Sequence, residues 1–316
     1  MENKEKLKQE KVSIGIPVYN GEKFMRKKLE SLITQTYTNF EIIISDNAST
    51  DLTSKICSEY SKKDKRINYF HQKENIGGWN NFCFVLEKAK NEYFFWSAVD
   101  DIILPGFIEK NLETLQNEKI VCSVSQVKYY GEKSDRLKQE NTSIYFKIRN
   151  IILKKFSPLQ NISVSGKLDK KIRKYLKIRG HHHVFYGIYR TKQLKKIVIP
   201  RDFSGIDLAI MINSLKFGDV HVNDDVLMYR YDGGTSSNGF FNYKKSRGLS
   251  FFQTLFHLIP FTNWFIKNFG IVIFLKNFDS LIIWNLEGFF YLCIDIVRKI
   301  KFRKGVHTKN KMIDFK

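Results

Sequence analysis

The sequence predicts an α/β fold in which helices flank a mostly parallel β-sheet. Short apolar segments, rich in β-branched and aromatic residues, alternate with segments whose apolar residues recur at helical spacing. A polar turn separates each apolar segment from the helix that follows it. This alternation is typical of βαβ units, whose strands run parallel and are connected by right-handed crossovers.

The βαβ pattern begins at the amino terminus of the chain. The first strand ends at the turn signal Asn20-Gly21, and the next helix places Leu29 and Leu32 on one face. Because the carboxyl ends of parallel strands meet at one edge of a sheet, we expect the polar turns to lie together. The predicted elements, in order, are strand 12–19, helix 22–33, strand 40–46, helix 53–61, strand 67–70, helix 79–88, strand 93–97, helix 107–115 and strand 121–127.

The strand at 93–97 leads to two adjacent carboxylates, Asp100 and Asp101. At this edge of an open α/β sheet, two hard oxygen donors suit a divalent cation that keeps its waters and bridges phosphates. Alternatively, the two residues cap the helix that begins near Pro105, since Asp is favoured at that position. The residues by themselves leave both interpretations open.

Two other turns at this edge offer groups that bind nucleotides. Asp46 ends the second strand and can accept hydrogen bonds from a base or a ribose hydroxyl, while Gly77 and Gly78 allow backbone amides to approach a phosphate. Each turn also has a structural interpretation, as a turn capped by Asp or as a flexible connection. The chain has no G-x-G-x-x-G after its first strand and no G-x-x-x-x-G-K-[ST], so neither a dinucleotide fold nor a P-loop is predicted.

The composition predicts a folded protein that attracts a polyanion. Hydrophobic residues make up 43% of the 316 residues, and 53 Lys and Arg against 32 Asp and Glu give a net charge of +21. This charge favours phosphorylated ligands, anionic lipid or nucleic acid, but no nucleic-acid recognition motif accompanies it. The four cysteines have no C-x-x-C spacing, so reduced thiols are expected instead of a zinc site or disulfides. Residues 1–11 contain no apolar run, and no signal peptide is expected.

Three segments near the amino terminus carry long, ordered motifs. Residues 12–21 read Val-Ser-Ile-Gly-Ile-Pro-Val-Tyr-Asn-Gly, residues 29–37 read Leu-Glu-Ser-Leu-Ile-Thr-Gln-Thr-Tyr, and residues 40–51 read Phe-Glu-Ile-Ile-Ile-Ser-Asp-Asn-Ala-Ser-Thr-Asp. Together they resemble the opening of the family 2 glycosyltransferases, and the likeness continues to residue 118 and more loosely to residue 237. The resemblance implies a GT-A (Rossmann-like) fold, a nucleotide-diphosphate sugar donor, a divalent metal (Mn²⁺ or Mg²⁺) and inversion at the anomeric carbon.

The same resemblance implies a role for the carboxylates after the fourth strand. Asp100 or Asp101 lies where the family holds its metal, and the choice between them stays open. Ala98 stands where the common form of the metal motif has its first Asp. Because a subset of the family reads like residues 96–101 of this chain, we do not expect the change to abolish activity. It leaves the contact to the ribose unassigned.

Three consecutive histidines, at positions 181–183, precede the sequence Val-Phe-Tyr-Gly-Ile-Tyr-Arg. On an extended strand, neighbouring side chains point to opposite faces, so His181 and His183 would converge. No carboxylate or cysteine stands at ligand spacing, and a zinc site is therefore not predicted. In the family, a similar segment borders the sugar and acceptor site, where His can donate to a diphosphate or a sugar hydroxyl.

A later strand is predicted to end at residue 231, after a polar turn that contains Asp224 and Asp225. These two residues form a rival metal pair, but they precede the strand and so point away from the site. The family has a Tyr-Arg-x-His-x-x-Ser-like element over the donor diphosphate, in which Arg230 is kept and Asp232 replaces His. By the same resemblance, Pro17, Tyr19 and Glu22 lie where the family lines its nucleotide pocket, and Asp46 lies where it contacts the base. The residues that we expect to contact the donor are these four together with Gly77, Asn80, His182, His183 and Arg230.

Asp207 lies in the first turn of a predicted helix that starts near residue 204. Its structural interpretation is an Asp that complements the helix dipole. The resemblance instead implies the general base, which the family places on an Asp in a Gly-x-Asp context at the start of such a helix. Inverting transfer needs a carboxylate that accepts the proton of the acceptor hydroxyl.

Two segments differ in composition from the rest. Residues 132–180 carry 14 Lys and Arg against 4 Asp and Glu, which indicates a basic insertion on the acceptor side or facing a membrane. Residues 249–300 are rich in Phe, Leu, Ile and Trp, but charged residues interrupt every apolar run, so no spanning helix is predicted. Residues 298–316 then carry eight Lys and Arg and one Asp, which suits an anionic membrane surface. A helical lid or a dimer interface is the alternative.

The sequence therefore predicts a GT-A domain over 11–240 and a helical, membrane-associating extension over 241–316. We expect an inverting glycosyltransferase, bound peripherally to the cytoplasmic face of the cell membrane, that acts on a lipid-linked or surface-glycan acceptor. The alternative is a non-catalytic glycan- or membrane-binding relative, motivated by Ala98 and Asp232. No nucleic-acid partner is expected.

Overall fold

The chain divides into two units, each described here by itself. The first comprises residues up to 202 together with 206–232, and the second comprises 203–205 and the residues from 233 onward. In the computed structural model, the described residues are 9–131, 162–177, 182–233, 256 and 258–286, with His182 described by its backbone alone. The predicted domain boundary at residue 240 stays a prediction, because it falls outside these ranges.

Eight strands form one mixed sheet within the described residues of the first unit. They are β1 (Val12–Val18), β2 (Phe40–Asp46), β3 (Ile67–His71), β4 (Tyr93–Trp96), β5 (Ile102–Ile103), β6 (Ile120–Tyr130), β7 (Ile188–Arg190) and β8 (Asp219–Tyr231). Their order in the sheet is β3-β2-β1-β4-β7-β6-β8-β5. Four pairings are parallel, and the three that involve β7 or β5 are antiparallel. The predicted α/β fold is confirmed.

Helices connect the strands and cover the sheet. The first of them, α1, places Met25, Leu29 and Leu32 in the core, as its helical periodicity predicts. The central strand β1 is buried along its whole length, because helices cover both faces of a parallel sheet. The helices of the first unit are α1 (Glu22–Ile33), α2 (Thr53–Lys63), α3 (Gly78–Lys88), α4 (Phe107–Leu115), α5 (Leu168–Lys177), α6 (Thr191–Ile197) and α7 (Ile206–Ser214), with a 3₁₀ helix at His182–Tyr186.

Strand direction brings distant parts of the sequence to one edge of the sheet. Because β7 is antiparallel to both β4 and β6, strand β6 runs in the direction of β4, and β8 is parallel to β6. The carboxyl ends of β1, β2, β4, β6 and β8 therefore meet at the same edge, which we call the carboxyl edge. The 3₁₀ helix precedes the antiparallel β7 and so lies at this edge as well.

Two local predictions were wrong. The described part of the histidine segment, His182–Tyr186, is a 3₁₀ helix and not an extended strand, so the alternation of side chains expected for a strand does not apply to it. This turn allows Phe185 to stack on Trp96, with ring centroids 4.5 Å apart. His181 itself lies outside the described residues.

The polar turn predicted around Asp224 and Asp225 is part of β8. Asn223 pairs with Ser125 and Val226 pairs with Gln126, so the two Asp residues are extra residues of a β-bulge. Both side chains are exposed, and Asp225 lies 3.5 Å from Lys110.

The second unit contains helix α8 (Ile259–Lys276), which is interrupted at Gly270 by a backbone φ of 81°. A further helix, α9 (Phe278–Leu286), is bent from α8 by 103°. Within the described part of the chain, neither helix alone has the length and apolarity of a membrane span, although the bent pair together does. Most of the basic insertion (132–161 and 178–180) and the basic tail (298–316) lie outside the described residues.

Candidate active site

The carboxyl edge brings together four residues that the sequence analysis singled out: Asp100, Asp101, His183 and Arg230. The two Asp residues lie in the irregular turn between β4 and β5. Arg230 lies near the end of β8, and His183 lies in the 3₁₀ helix before β7. The Asp pair, His183 and Arg230 are far apart in sequence, and the strand order, with the direct pairing of β5 and β8, brings them together.

Arg230 forms the central contact of this cluster. Its Nε atom lies 3.2 Å from Oδ2 of Asp101, which is an ion pair but lacks the geometry of a hydrogen bond. The same Nε atom donates a long hydrogen bond of 3.5 Å to Oδ1 of Asp101. Its guanidinium also lies over the ring of Tyr186, with Cζ 4.4 Å from the ring centroid. Burial opposes the charge of Arg230, but Tyr186 and Asp101 outweigh this effect and raise its pKa. Arg230 is therefore a permanently charged group at the site.

His183 orients the guanidinium of Arg230. Nη1 of Arg230 lies 3.0 Å from Nδ1 of His183, and Nε2 of His183 lies 2.9 Å from the hydroxyl oxygen of Tyr129. Because a guanidinium donates hydrogen bonds and never accepts them, Nδ1 is the acceptor. The proton of the neutral ring therefore lies on Nε2, which donates to Tyr129. The described contacts of His183 are thus directed at protein groups.

Asp100 differs from Asp101 in its surroundings. Within the described residues, its carboxylate makes no hydrogen bond or ion pair with another side chain, whereas its backbone carbonyl accepts a 2.6 Å hydrogen bond from the Tyr130 hydroxyl. Burial, followed by the negative charge of Asp101, raises the pKa of Asp100. An additional cation at this position would relieve both effects.

This arrangement fits a divalent metal held jointly with a phosphorylated ligand. No cluster of three His, Cys, Asp or Glu side chains occurs among the residues that the structure describes. Mg²⁺ and Mn²⁺ at nucleotide sites commonly need one or two carboxylates, with phosphate oxygens and waters completing the coordination. Asp100 supplies a carboxylate that has no partner among the described side chains, and Asp101 supplies a second one held by Arg230.

Lys28 also belongs to this site, although the sequence analysis did not identify it. Its side chain is 1% exposed, and Nζ donates a 2.7 Å hydrogen bond to the backbone carbonyl of Asp101. Burial lowers the pKa of Lys28 to about 8, while Asp101 and Asp100 oppose this shift. The available signal was its position in α1, where Lys28 shares the apolar face of Met25, Leu29 and Leu32.

Tyr129, Tyr130 and Tyr186 were missed as well. Tyr129 and Tyr130 end β6, which the sequence analysis stopped three residues too early, at residue 127. The available signal was their position at the end of a strand. Because β6 runs in the same direction as β4, residues at its end lie at the carboxyl edge. Tyr186 follows the histidines and received no separate role.

Asp46 organises the loop between β2 and α2. Its buried carboxylate accepts hydrogen bonds from the Ser49 amide (2.9 Å), the Ser54 hydroxyl (2.7 Å) and the Tyr69 hydroxyl (3.0 Å). Nδ1 of His71 lies 3.2 Å from the same carboxylate. Burial by itself would raise the pKa of Asp46, but the hydrogen bonds from Ser49, Ser54 and Tyr69 outweigh it and lower the pKa. The contact of Asp46 with a nucleotide base stays a prediction.

The other residues predicted to contact a donor lie at the ends of the strands and helices that flank the loops near Asp46. Pro17 is buried at the end of β1, and Tyr19 follows it with half of its surface exposed. The exposed Glu22 accepts a 2.8 Å hydrogen bond from the Leu52 amide, which ties α1 to the loop after β2. Gly77, with φ of +86°, precedes α3, and Asn80 in the first turn of α3 donates to the Ile76 carbonyl. The His182 side chain lies outside the described residues.

Asp207 lies in the first turn of α7, as predicted, and is half-buried. Helix α7 packs against the 3₁₀ helix that carries Tyr186. The pKa of Tyr186 is raised to about 12, chiefly by burial and in part by the charges of Asp101, Asp100 and Asp207, while Arg230 opposes the shift. All three carboxylates therefore act on one phenol, which places Asp207 within electrostatic range of the same cluster.

Comparison with known sequences links this chain to one enzyme family. The family model described as glycosyl transferase family 2 matches residues 13–184. The glycosyltransferase GlyA of Streptococcus pneumoniae is 48% identical over 219 residues, which cover 69% of this chain and 27% of GlyA. An uncharacterized glycosyltransferase of Rickettsia typhi is 37% identical over 138 residues, or 43% of this chain and 40% of that protein. The chain thus spans less than half the length of the curated relatives it matches.

Two solved structures share the fold. TarS 1-349 of S. aureus in complex with UDP-GlcNAc superimposes with a TM-score of 0.54 at 19% identity, covering 82% of this chain and 73% of that one. The mannosyltransferase PcManGT of Pyrobaculum calidifontis, in complex with GDP-Man and Mn²⁺, gives a TM-score of 0.56 at 12% identity, covering 96% and 81%. At these identities the likeness shows a common GT-A architecture.

The buried hydrogen bonds of Asp46 predict a pH-dependent contribution to stability. Because the pKa of Asp46 is lowered in the folded state, its contribution is present above the unfolded pKa, about 4, and is lost as the pH falls. Asp46→Asn should lower the free energy of unfolding by about 1–3 kcal/mol at pH 7. Its stability should also fall less steeply between about pH 5 and pH 3, measured by urea unfolding.

Asp169→Asn removes the same charge from an exposed position in α5 and serves as the control. An Asp46→Asn variant with the acid sensitivity of the unsubstituted protein would show that these hydrogen bonds do not stabilise the carboxylate.

Proposed function

The chain belongs to glycosyltransferase family 2, and we propose that it transfers a sugar from a nucleotide-diphosphate sugar to an acceptor hydroxyl, with inversion at the anomeric carbon. The observation that carries this proposal is the carboxylate of Asp100 at the carboxyl edge, which has no side-chain partner among the described residues and lies beside the ion pair of the buried Asp101 with the partly buried Arg230. Ligands of open α/β folds bind at this edge, and a carboxylate beside a fixed guanidinium suits a metal-bound diphosphate.

On the donor side, Asp100 and Asp101 would hold Mn²⁺ or Mg²⁺. When bound, such a cation offsets the negative charge that develops on the departing diphosphate. Arg230 contributes a permanent positive charge to the same region, and His183 fixes its orientation. The complexes of TarS with UDP-GlcNAc and of PcManGT with GDP-Man and Mn²⁺ support a donor and a metal of these classes.

On the acceptor side, Asp207 would act as the general base. Its carboxylate takes the proton of the acceptor hydroxyl while that oxygen forms a bond to the anomeric carbon. The bond between this carbon and the diphosphate oxygen breaks, and its electron pair leaves with the nucleoside diphosphate. Support comes from the shared electrostatic influence of Asp207, Asp100 and Asp101 on Tyr186.

We further propose that the enzyme binds an anionic membrane surface at the cytoplasmic face and acts on a lipid-linked or surface-glycan acceptor. In the second unit, Val272 (63% exposed) and Leu275 (64% exposed) lie on one turn of α8, beside Lys276. Leu286 at the end of α9 is also exposed. An apolar face flanked by basic residues suits the boundary between acyl chains and anionic headgroups, and the eight Lys and Arg of residues 298–316 add to this attraction.

Asp207→Asn tests the assignment of the base. We expect transfer to fall by about 10²–10⁴-fold, because the proton acceptor is lost, while affinity for the donor nucleotide is kept. Release of UDP or GDP from a panel of nucleotide sugars, with membranes of the source cells as acceptor, measures the rate. Calorimetry with UDP and GDP measures the affinity.

Asp169→Asn is the matched control. Asp169 also lies in the first turn of a helix, so its substitution by Asn removes the same interaction with the helix dipole. If Asp207→Asn transfers sugar at the normal rate while the donor binds, the assignment is wrong. Nucleotide binding without any turnover in the unsubstituted protein would favour the non-catalytic alternative.

Vesicle flotation tests the membrane proposal. The protein should float with vesicles of phosphatidylcholine and phosphatidylglycerol and much less with phosphatidylcholine alone. Leu275→Asp should weaken this binding by about tenfold or more, because a carboxylate is excluded from the apolar boundary. Phe217→Asp, at an exposed aromatic residue of the first unit, should leave it unchanged. Equal flotation of Leu275→Asp, or a dimer that Leu275→Asp dissociates, would contradict the proposal.

A further inference from the structure

A buried positive charge lies directly beneath the Asp100–Asp101 turn. Lys28 is 1% exposed, and its hydrogen bond to the Asp101 carbonyl, 2.7 Å long, engages a neutral oxygen. Within the described residues, Lys28 forms no ion pair with a carboxylate at salt-bridge distance. Burial of a lysine in this way lowers the stability of the fold unless nearby groups of opposite charge compensate its ammonium.

The hydrogen bonds of the turn show that its backbone is held by the protein itself. The Asp100 carbonyl accepts from the Tyr130 hydroxyl, and the Asp101 carbonyl accepts from Lys28. Gln35, which follows α1 and lies seven residues after Lys28, donates a 2.8 Å hydrogen bond to the Leu104 carbonyl. Helix α1 and β6 thus fix the turn from separate elements, and no metal is needed to shape it.

A neutral side chain would satisfy the Asp101 carbonyl as well, so the charge of Lys28 needs its own explanation. Two carboxylates, Asp100 and Asp101, lie within electrostatic range of two cations, Lys28 and Arg230. The charges of these four described side chains therefore balance before any ligand binds. Lys23 and Lys27 are also nearby, with Nζ atoms 5.8 Å from the Tyr231 ring centroid and 5.6 Å from that of Tyr130. Both are exposed, so solvent and salt screen their charges far more than they screen the charge of the buried Lys28.

We propose that Lys28 is a positioning residue whose buried charge makes binding of the divalent cation depend on the diphosphate of the donor. A free cation meets carboxylates whose charge Lys28 and Arg230 already offset. A diphosphate brings further anionic oxygens, and the combined site then favours the cation. This inference rests on the proposed function, since it takes the ligand to be a nucleoside diphosphate bound with a metal.

Binding of Mn²⁺, followed at pH 7 by electron paramagnetic resonance of the free ion, tests the proposal with and without UDP or GDP. In the unsubstituted protein, the nucleotide that binds should tighten Mn²⁺ by about tenfold or more. Lys28→Met should bind Mn²⁺ alone about tenfold or more tightly than the unsubstituted protein, because one buried repulsive charge is gone. The tightening by nucleotide should shrink accordingly.

Lys62→Met is the matched control. It removes the same charge from an exposed lysine of α2 and should change Mn²⁺ affinity by less than about twofold, as expected for a screened charge. If Lys28 only supports the turn, Lys28→Met should weaken Mn²⁺ binding. If its charge opposes the cation, the same substitution should strengthen Mn²⁺ binding. The direction of the change in affinity therefore distinguishes the two roles.

A folded Lys28→Met variant with unchanged or weaker Mn²⁺ binding would overturn the proposal. If the variant does not fold, the unsubstituted protein decides, because equal Mn²⁺ affinity with and without bound nucleotide would overturn it too. Failure of both Mn²⁺ and nucleotide to bind the unsubstituted protein would instead contradict the proposed function on which the inference rests.

Discussion

The ion pair between the buried Asp101 and the partly buried Arg230 is the contact on which the candidate site depends. It joins the turn after β4 to the end of β8, two strands that β7 and β6 separate in the sheet. Removal of one partner of such a pair typically costs about 3–5 kcal/mol, because the other charge is left buried and unpaired. Together with the antiparallel pairing of Ile102 with Tyr229, the pair fixes the relative position of the two parts of the site before any ligand arrives.

The surrounding contacts explain why the pair is tolerated in a position that is largely shielded from water. His183, held by Tyr129, accepts from the guanidinium, and the ring of Tyr186 covers its face. Lys28, on helix α1, donates a hydrogen bond to the backbone carbonyl of Asp101. This arrangement leaves Asp100 as the carboxylate with no side-chain partner among the described residues. A site built on strand ends in this way is rigid, and rigidity is what electrostatic stabilisation of a departing diphosphate requires.

Sequence reasoning found the elements whose signals are local. The apolar run at β1 and the helical spacing in α4 predict their positions, and Asp100, Asp101 and Asp207 stand out because a carboxylate at the start or end of an element is conspicuous. The 3₁₀ helix at His182–Tyr186 was missed because a short apolar run fits several conformations, and stacking of Phe185 on Trp96 decides among them. Lys28 was missed because burial of its ammonium depends on a carbonyl 73 residues away.

Thermal stabilisation by nucleoside diphosphates is the measurement that bears on a donor site at the carboxyl edge with the fewest intervening assumptions. UDP and GDP are added with and without Mn²⁺ or Mg²⁺ to the unsubstituted protein, to Asp100→Ala, and to Asp225→Ala as a control at the exposed bulge. One nucleotide at ~100 times its Kd should add about 2.7 kcal/mol in the presence of metal. Asp100→Ala should lose this gain and Asp225→Ala should keep it. No stabilisation by any nucleotide, or an equal gain in Asp100→Ala, would contradict the account.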